Sequence, residues 1–197
     1  MNSGLLFRDS ATSKVLEFLE RLAPTAIFTI DELRIIKDIS YVAIRSVVTR
    51  LNQQGVIRRL SRGYYFIPSE NEDSFPSIDR ILETISRKEN FRYCPIGEYA
   101  KYILGLRSVL PKEIECYTTG KLKTLNLENG RKIHFVPCKK KSFLSESNFH
   151  LSLVKEYIRE TGINQITNEE IETLTVYLNS VGKEIEGLDY SSLDRFV

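Results

Sequence analysis

Several features that would place a protein in a specialised class are missing from this sequence. No apolar run approaches the roughly 18 residues that span a bilayer, and the N-terminus lacks the basic-then-apolar order of a secretory signal. The three cysteines, at positions 94, 116 and 138, are odd in number and widely spaced, with no C-x-x-C pair. We therefore expect a cytoplasmic protein with free thiols, without disulfides and without a membrane partner.

The common motifs of nucleotide and metal enzymes are also absent. The sequence contains no G-x-x-x-x-G-K-[ST], no G-x-G-x-x-G and no H-E-x-x-H. His134 and His150 are the only histidines, and they fall on different predicted elements. Glu113 and Glu115 lie near Lys121–Lys123, but the acidic residue that a metal-dependent nuclease places ahead of an E-x-K pair is missing. We predict no enzyme: no catalytic residue, no cofactor and no metal.

The charge of the chain is small overall but unevenly distributed. The net charge is +2, with 42% hydrophobic and 27% charged residues, as in an ordinary globular protein. Residues 1–68 carry ten Lys or Arg and six Asp or Glu, residues 69–142 carry fourteen and ten, and residues 143–197 carry four and ten. A polyanion would therefore be attracted by the first segment and repelled by the last.

The stretch from Ser40 to Pro68 is the most informative part of the sequence. Ser40 is a suitable helix cap, and aliphatic residues then recur with the spacing of one helix face: Ile44, Val47, Val48 and Leu51. Gly55 ends the predicted helix, Val56 to Leu60 and Tyr64 to Ile67 read as two strands, and Ser61-Arg62-Gly63 is the turn between them. From Ile39 through Ser69 there are five arginines and no acidic residue. The pattern predicts a helix followed by a basic hairpin.

Two further helices are predicted upstream. The spacing of Val15, Leu16, Leu19 and Leu22 indicates a first helix that ends near Ala23-Pro24, followed by a short apolar link. Thr29 and Glu32 have the spacing of a capping box at the start of a second helix. Three helices and a hairpin in this order predict a winged helix-turn-helix that binds double-stranded DNA over residues 1–68.

The predicted DNA-binding residues lie on the third helix and the hairpin. In such domains the third helix enters the major groove, where each base pair presents a distinct pattern of donors and acceptors. Val42, Ser46 and Thr49 are candidates for contacts with base edges, Arg45 for guanine or phosphate, and Tyr41 for a sugar. The arginines of the hairpin are expected to follow the phosphate backbone or the minor groove. The full predicted set is Tyr41, Val42, Arg45, Ser46, Thr49, Arg50, Arg58, Arg59 and Arg62.

The rest of the chain predicts a second domain. Residues 69–76 are polar, acidic and close to prolines, which is typical of a linker. Beyond them, a helix capped by Ser77 and a helix beginning at Pro95 precede a strand from Glu113 and a hairpin at Asn129-Gly130. Two acidic helices follow, Phe149 to Thr161 and Asn168 to Val181, the second capped by Asn168. Residues 77–197 therefore predict a smaller-sheet α+β domain, so that the whole chain is of the α+β class.

The order of these parts resembles the AbiEi-type antitoxins and AbiEi-like transcriptional regulators of bacterial abortive-infection toxin–antitoxin pairs. The segments that carry the resemblance are RLSRGYYFIP, PSIDRILETISRK, IGEYAKYILGLRSVLPKEIECYTTG and NGRKIHFVP, within about residues 12–140. The resemblance implies a repressor that binds inverted repeats in the promoter of its own operon. Because a single winged helix reads only a few base pairs, we expect two copies on a repeated site, as a homodimer or as monomers that bind cooperatively. It also implies a C-terminal domain that neutralises a cognate nucleotidyltransferase-like toxin.

A second interpretation of the sequence remains open. Winged helices also serve as protein-docking modules, and the last 55 residues are acidic. On this alternative the protein is an interaction or sensor protein whose C-terminal domain binds a protein partner or a ligand, without an antitoxin role.

Overall fold

A computed structural model describes residues 11–23, 25–69, 75–138 and 148–182. The chain divides into two compact units: Met1–Ile85 together with Asn126–Asn129, and Ser86–Leu125 together with Gly130–Val197. The predicted linker at 69–76 falls largely on residues 70–74, which lie outside the described ranges. No helix in the described ranges is both long and apolar enough to cross a membrane. The fold is of the α+β class, as predicted.

The first unit contains helices and a three-stranded antiparallel sheet. The elements follow in the order α1 (Ala11–Glu20), β1 (Ile27–Thr29), a 3₁₀ helix (Asp31–Ile35), α2 (Tyr41–Gln53), β2 (Arg58–Ser61), β3 (Tyr64–Phe66) and α3 (Ile78–Lys88), whose last residues belong to the second unit. The strands are ordered β1-β3-β2 in the sheet, and both pairings are antiparallel. The predicted α1, α2 and β2–β3 hairpin are present in the predicted order, with a 3₁₀ helix at the position of the second predicted helix.

Two predicted details of the first unit are wrong. Residues 25–28 were expected to be a link, but Ile27 and Phe28 belong to β1, in which Ile27 pairs with Phe66. The second helix is a single 3₁₀ segment, although the predicted capping box is present: the Thr29 N–H donates to Glu32 Oε2 at 2.9 Å and the Glu32 N–H to Thr29 Oγ1 at 3.3 Å. The first deviation arises because β3 draws residues 27–29 into an extended pairing.

The core of the first unit is formed largely by α1 and α2. Val15 and Leu19 of α1 are buried, as are Phe28 and Leu33. The predicted stripe on α2 is confirmed, because all four of its residues are buried: Ile44, Val47, Val48 and Leu51. Burying an aliphatic side chain of this size contributes roughly 1.5–3 kcal/mol, so α2 is fixed in its rotation about its own axis.

The second unit contains a four-stranded mixed sheet and helices. Its elements are β4 (Tyr93–Ile96), α4 (Gly97–Ile103), β5 (Glu113–Thr118), β6 (Lys123–Asn126), β7 (Lys132–Pro137), α5 (Phe149–Thr161), a 3₁₀ helix (Ile163–Gln165) and α6 (Asn168–Ser180). The strand order is β4-β5-β7-β6, with β4 antiparallel to β5 and β5 parallel to β7. Residues of α4 and its C-cap Leu104, α5 and α6 form one apolar cluster: Ala100, Leu104, Leu153, Val154, Tyr157 and Leu174.

Two helix starts in this unit differ from the prediction. Pro95 does not begin a helix but lies in β4 opposite Cys116, and α4 begins at Gly97. The position suits proline because β4 is an edge strand, where a missing N–H need not break a ladder. The cap of α6 is Thr167 and not Asn168: Thr167 Oγ1 accepts from the Glu170 N–H at 3.2 Å and the Thr167 N–H donates to Glu170 Oε2 at 2.8 Å. This capping box satisfies two backbone N–H groups, which a cap at Asn168 would not do.

Candidate nucleic-acid interface

The helix α2 presents its polar face to solvent. Ser40 caps it as predicted, with its hydroxyl accepting from the Ala43 N–H at 3.2 Å. Because the buried stripe fixes the rotation of the helix, the residues between its members must point outward. All six predicted DNA-binding residues of α2 are exposed: Tyr41, Val42, Arg45, Ser46, Thr49 and Arg50.

The middle of this face is lined by small side chains. The Ser46 hydroxyl donates to the Val42 carbonyl at 3.1 Å, and the Thr49 hydroxyl donates to the Arg45 carbonyl at 2.9 Å. A hydroxyl has one hydrogen to donate and two lone pairs that accept. Since the hydrogens are used within the helix, both oxygens face solvent as hydrogen-bond acceptors, next to the apolar Val42 side chain.

The two arginines of α2 differ in their surroundings. Arg45 makes no ion pair or side-chain hydrogen bond within the described ranges. The Arg50 guanidinium donates to the Thr12 hydroxyl at the start of α1. Arg45 is therefore available to a ligand, whereas Arg50 is oriented by a neighbouring helix while remaining exposed.

The hairpin of β2 and β3 carries the other three predicted arginines. Its turn is Arg62-Gly63, and Gly63 has a φ of 82°, which favours glycine over any residue with a side chain. Arg62 is exposed and has no ion-pair partner in the described part of the chain. Arg58 lies over the ring of Phe66, with Cζ 5.8 Å from the ring centroid, and Phe66 is also its partner across the strands.

Arg59 is the exception among the arginines of the hairpin. Its Nε lies 3.5 Å from Oε1 of Glu128, and both side chains are about half exposed. Because successive side chains of a strand point to opposite faces, Arg58 and Arg59 leave β2 on opposite faces of the strand. Within the described ranges, Arg58 and Arg62 thus have no carboxylate partner, whereas Arg59 has one.

Sequence reasoning missed two residues close to this surface. Arg34 of the 3₁₀ helix lies over the ring of Tyr41, with Cζ 5.0 Å from the ring centroid, and its Nη1 is 3.6 Å from Asp31. Glu128 reaches Arg59 from 69 positions further along the chain. No local pattern could have revealed either contact, since both depend on the tertiary arrangement.

In the described part of the second unit, the histidines and carboxylates do not form a comparable cluster. His134 Nδ1 lies 3.1 Å from the Thr124 hydroxyl and His150 Nδ1 lies 2.6 Å from the Tyr177 hydroxyl, so the histidines are in separate environments. The buried Glu156 is bound by Arg159 through two hydrogen bonds, one of 2.9 Å to Nε. Within the described ranges, no three His, Cys, Asp or Glu side chains are placed to hold a metal ion.

The buried Cys94 of the second unit is unsuited to nucleophilic chemistry. None of the three forms a disulfide, and Cys94 and Cys116 are buried. Burial, reinforced by the negative charges of Glu156 and Glu160, raises the pKa of the Cys94 thiol to about 12. A thiol with such a pKa is protonated at neutral pH and is a poor nucleophile.

Comparison with known proteins identifies the chain at the level of family. No curated protein matches it. Residues 14–185 match a family of unknown function, DUF6088, which includes both the α2 and hairpin region and most of the second unit. The description of that family names no activity or partner. The match covers most of the chain, and the protein therefore belongs to the DUF6088 family.

Proposed function

We propose that this protein is a winged-helix repressor that binds double-stranded DNA through α2 and the β2–β3 hairpin. The observation that carries the proposal is the combination of a helix face of small acceptors and apolar groups with cations that have no carboxylate partner. Arg45, Arg58 and Arg62 are such cations in the described part of the chain. A sequence-reading surface needs both components, because phosphate contacts position a protein and base contacts specify the site.

The size and chemistry of α2 suit the major groove. That groove is about 12 Å wide, and an α-helix with its side chains is about 10–12 Å across. Only short side chains occupy the centre of the outward face, which allows the backbone of the helix to approach the base edges. Ser46 and Thr49 would accept hydrogen bonds from the amino groups of cytosine or adenine, and Val42 would contact a thymine methyl group.

The test is the salt dependence of DNA binding, measured by fluorescence anisotropy. The probes are a labelled duplex of about 30 base pairs from the region upstream of the protein's own gene and a shuffled duplex of the same composition, since a repeated site spans two or more helical turns. Each phosphate contact contributes about 0.9 to the slope of log K against log salt, or about 3.5-fold in affinity between roughly 50 and 200 mM. We expect Arg58→Ala/Arg62→Ala to flatten the slope by up to about 1.8.

A matched control removes two arginines elsewhere. Arg21→Ala/Arg87→Ala changes the net charge equally, but Arg21 directly follows α1 and Arg87 lies on α3. Equal slopes for the two double variants would overturn the assignment of the hairpin. Wild-type protein that binds neither duplex in a salt-dependent manner would overturn the DNA-binding proposal as a whole.

We further propose that the protein represses its own operon and acts as an antitoxin, as the resemblance to the AbiEi-type antitoxins implies. The test is co-expression with the product of an adjacent reading frame that encodes a nucleotidyltransferase-like protein. Relief of growth arrest by this protein would support the antitoxin role. Growth arrest that persists in its presence would reject the antitoxin role and leave the DNA-binding proposal intact.

The alternative is an interaction or sensor protein in which α2 and the hairpin are only a scaffold. Exposed carboxylates on α5 and α6, among them Glu160, Glu169 and Glu172, favour a basic or polar partner at the second unit over DNA there. The salt titration separates the two functions, because the alternative predicts no contribution of Arg58 and Arg62 to DNA binding.

A further inference from the structure

The strand β2 contains an irregularity at Leu60. Arg59 pairs with Tyr65 and Ser61 pairs with Tyr64, so Leu60 is the extra residue of a bulge and has no partner in β3. The strand also lies at the edge of its sheet, where backbone groups on one side lack a neighbouring strand. The backbone of Leu60 therefore needs a hydrogen-bond partner from another part of the chain.

That partner is the segment between β6 and β7. The Glu128 N–H donates to the Leu60 carbonyl at 3.0 Å, and the neighbouring Leu127 is buried. Residues Asn126–Asn129 accordingly group with the first unit. The backbone contact at Leu60 places the Glu128 side chain next to Arg59, the preceding residue of β2, where the two form the ion pair described above.

The Arg59–Glu128 ion pair is accessible to a competing anion. A separation of 3.5 Å between two half-exposed side chains is an ion pair in contact with water, which is screened and weak. A DNA phosphate carries the same charge as the Glu128 carboxylate and also prefers a guanidinium partner. Arg59 can bind either of the two anions, but only the carboxylate is always present.

We propose that Glu128 is an internal competitor for the phosphate site at Arg59 and thereby limits the affinity of the hairpin for DNA. This inference rests on the DNA-binding function proposed above. Glu128 acts in two ways: it neutralises Arg59, and its own charge repels a phosphate that approaches the same edge of β2. Removing that charge while keeping the backbone hydrogen bond to Leu60 converts Arg59 into an additional phosphate contact.

The experiment uses Glu128→Gln, which is isosteric and retains the N–H that binds Leu60. Affinity for the upstream and shuffled duplexes is measured between about 50 and 200 mM salt, as for the arginine variants. We expect tighter binding and a slope steeper by about 0.9, which is about 3.5-fold more loss of affinity over this range. Glu17→Gln is the control, because it also removes one exposed carboxylate that is paired with an arginine, Arg21, in the same unit.

The variant Arg59→Ala is a second, independent test of whether Glu128 competes with phosphate for Arg59. In the otherwise unchanged chain, Arg59→Ala should flatten the slope of log K against log salt by less than half as much as Arg58→Ala does. The reason is that Glu128 already neutralises Arg59. In the Glu128→Gln background it should remove the whole gain. This comparison of Arg59→Ala with Arg58→Ala remains decisive even if Glu128→Gln impairs folding.

The outcomes separate this inference from the proposed function. If the wild-type protein binds DNA and Glu128→Gln behaves like Glu17→Gln, the competitor role is overturned while DNA binding stands. The same holds if Arg59→Ala weakens wild-type binding by a full contact, because Arg59 would then already be bound to phosphate. Absence of salt-dependent binding by the wild-type protein overturns the proposed function itself.

Discussion

The Tyr157 hydroxyl of α5 donates a hydrogen bond of 2.7 Å to Oε1 of Glu170 on α6. The other oxygen of this carboxylate accepts from the Thr167 N–H at the start of α6. One ionised side chain therefore both caps α6 and ties it to α5. The backbone hydrogen bond from Thr167, followed by that from Tyr157, lowers the pKa of Glu170 below its ordinary value of 4.5.

This lowered pKa predicts an acid-sensitive contact between α5 and α6. A carboxylate with a lower pKa in the folded state stabilises the fold fully above its unfolded pKa, and this stabilisation is lost as the pH falls through the folded value. We expect Glu170→Gln to lower the urea midpoint at neutral pH and to make no difference well below pH 4.5. Glu169→Gln is the control, and equal pH profiles for both variants would contradict the assignment.

The acceptor geometry of Ser46 and Thr49 predicts altered sequence preference in their variants. Thr49→Ala removes an outward acceptor but leaves the arginines in place, so we expect unchanged salt slopes and a loss of about 1–3 kcal/mol in discrimination at the contacted base pair. The measurement is competition between the best-bound duplex and its single-base-pair variants. If Arg45 binds phosphate, Arg45→Ala should instead weaken the binding of all duplexes by the same factor. A Thr49→Ala variant with wild-type preference at every position would remove this residue from the base-reading set.

The buried stripe of α2 predicts that folding and DNA binding fail together when it is disrupted. Leu51→Ala leaves a cavity beneath the helix, and a change of this kind costs about 2–5 kcal/mol. We expect a clearly lower urea midpoint in circular dichroism and reduced DNA binding at temperatures where the first unit begins to unfold. Val42→Ala, on the exposed face, should alter the free energy of unfolding by less than about 0.5 kcal/mol.

The surroundings of the cysteines predict an order of alkylation. With its pKa raised from 9.0 to about 12, Cys94 contains about 1000-fold less thiolate than an ordinary cysteine at the same pH. Iodoacetamide at about pH 8 should therefore modify the half-buried Cys138 first, and Cys94 only after unfolding in urea. Mass spectrometry of peptides from native and unfolded samples measures this order. Equal labelling of Cys94 and Cys138 in the native protein would show that the burial of Cys94 is not maintained in solution.

The sequence alone was sufficient where a signal was local and periodic. The cap at Ser40, the four buried residues of α2 and the full extent of α5 follow from spacing within one element. The turn at Gly63 and the hairpin around it follow from the same kind of local chemistry. The orientation of the candidate interface was therefore predictable, because burial of one face of α2 determines which side chains remain outside.

The features that escaped prediction depend on a partner distant in sequence. β1 has only three residues, too few to show an alternating pattern, and it is a strand only because β3 pairs with it. Proline is common at the first position of a helix, but Pro95 lies in a strand because β5 pairs with its backbone. Glu128 belongs to the tip of a hairpin whose own sequence gives no indication that it reaches β2.

The discontinuity of the first unit has a consequence for synthesis on the ribosome. Translation produces α1, α2 and the β2–β3 hairpin first, but Asn126–Asn129, which cover the edge of β2, emerge only after most of the second sheet has been made. During that interval the Leu60 carbonyl lacks the Glu128 N–H from which it accepts in the folded protein, and the open strand edge can pair with another nascent chain. The chain can thus complete its N-terminal unit only when about two-thirds of it has left the ribosome.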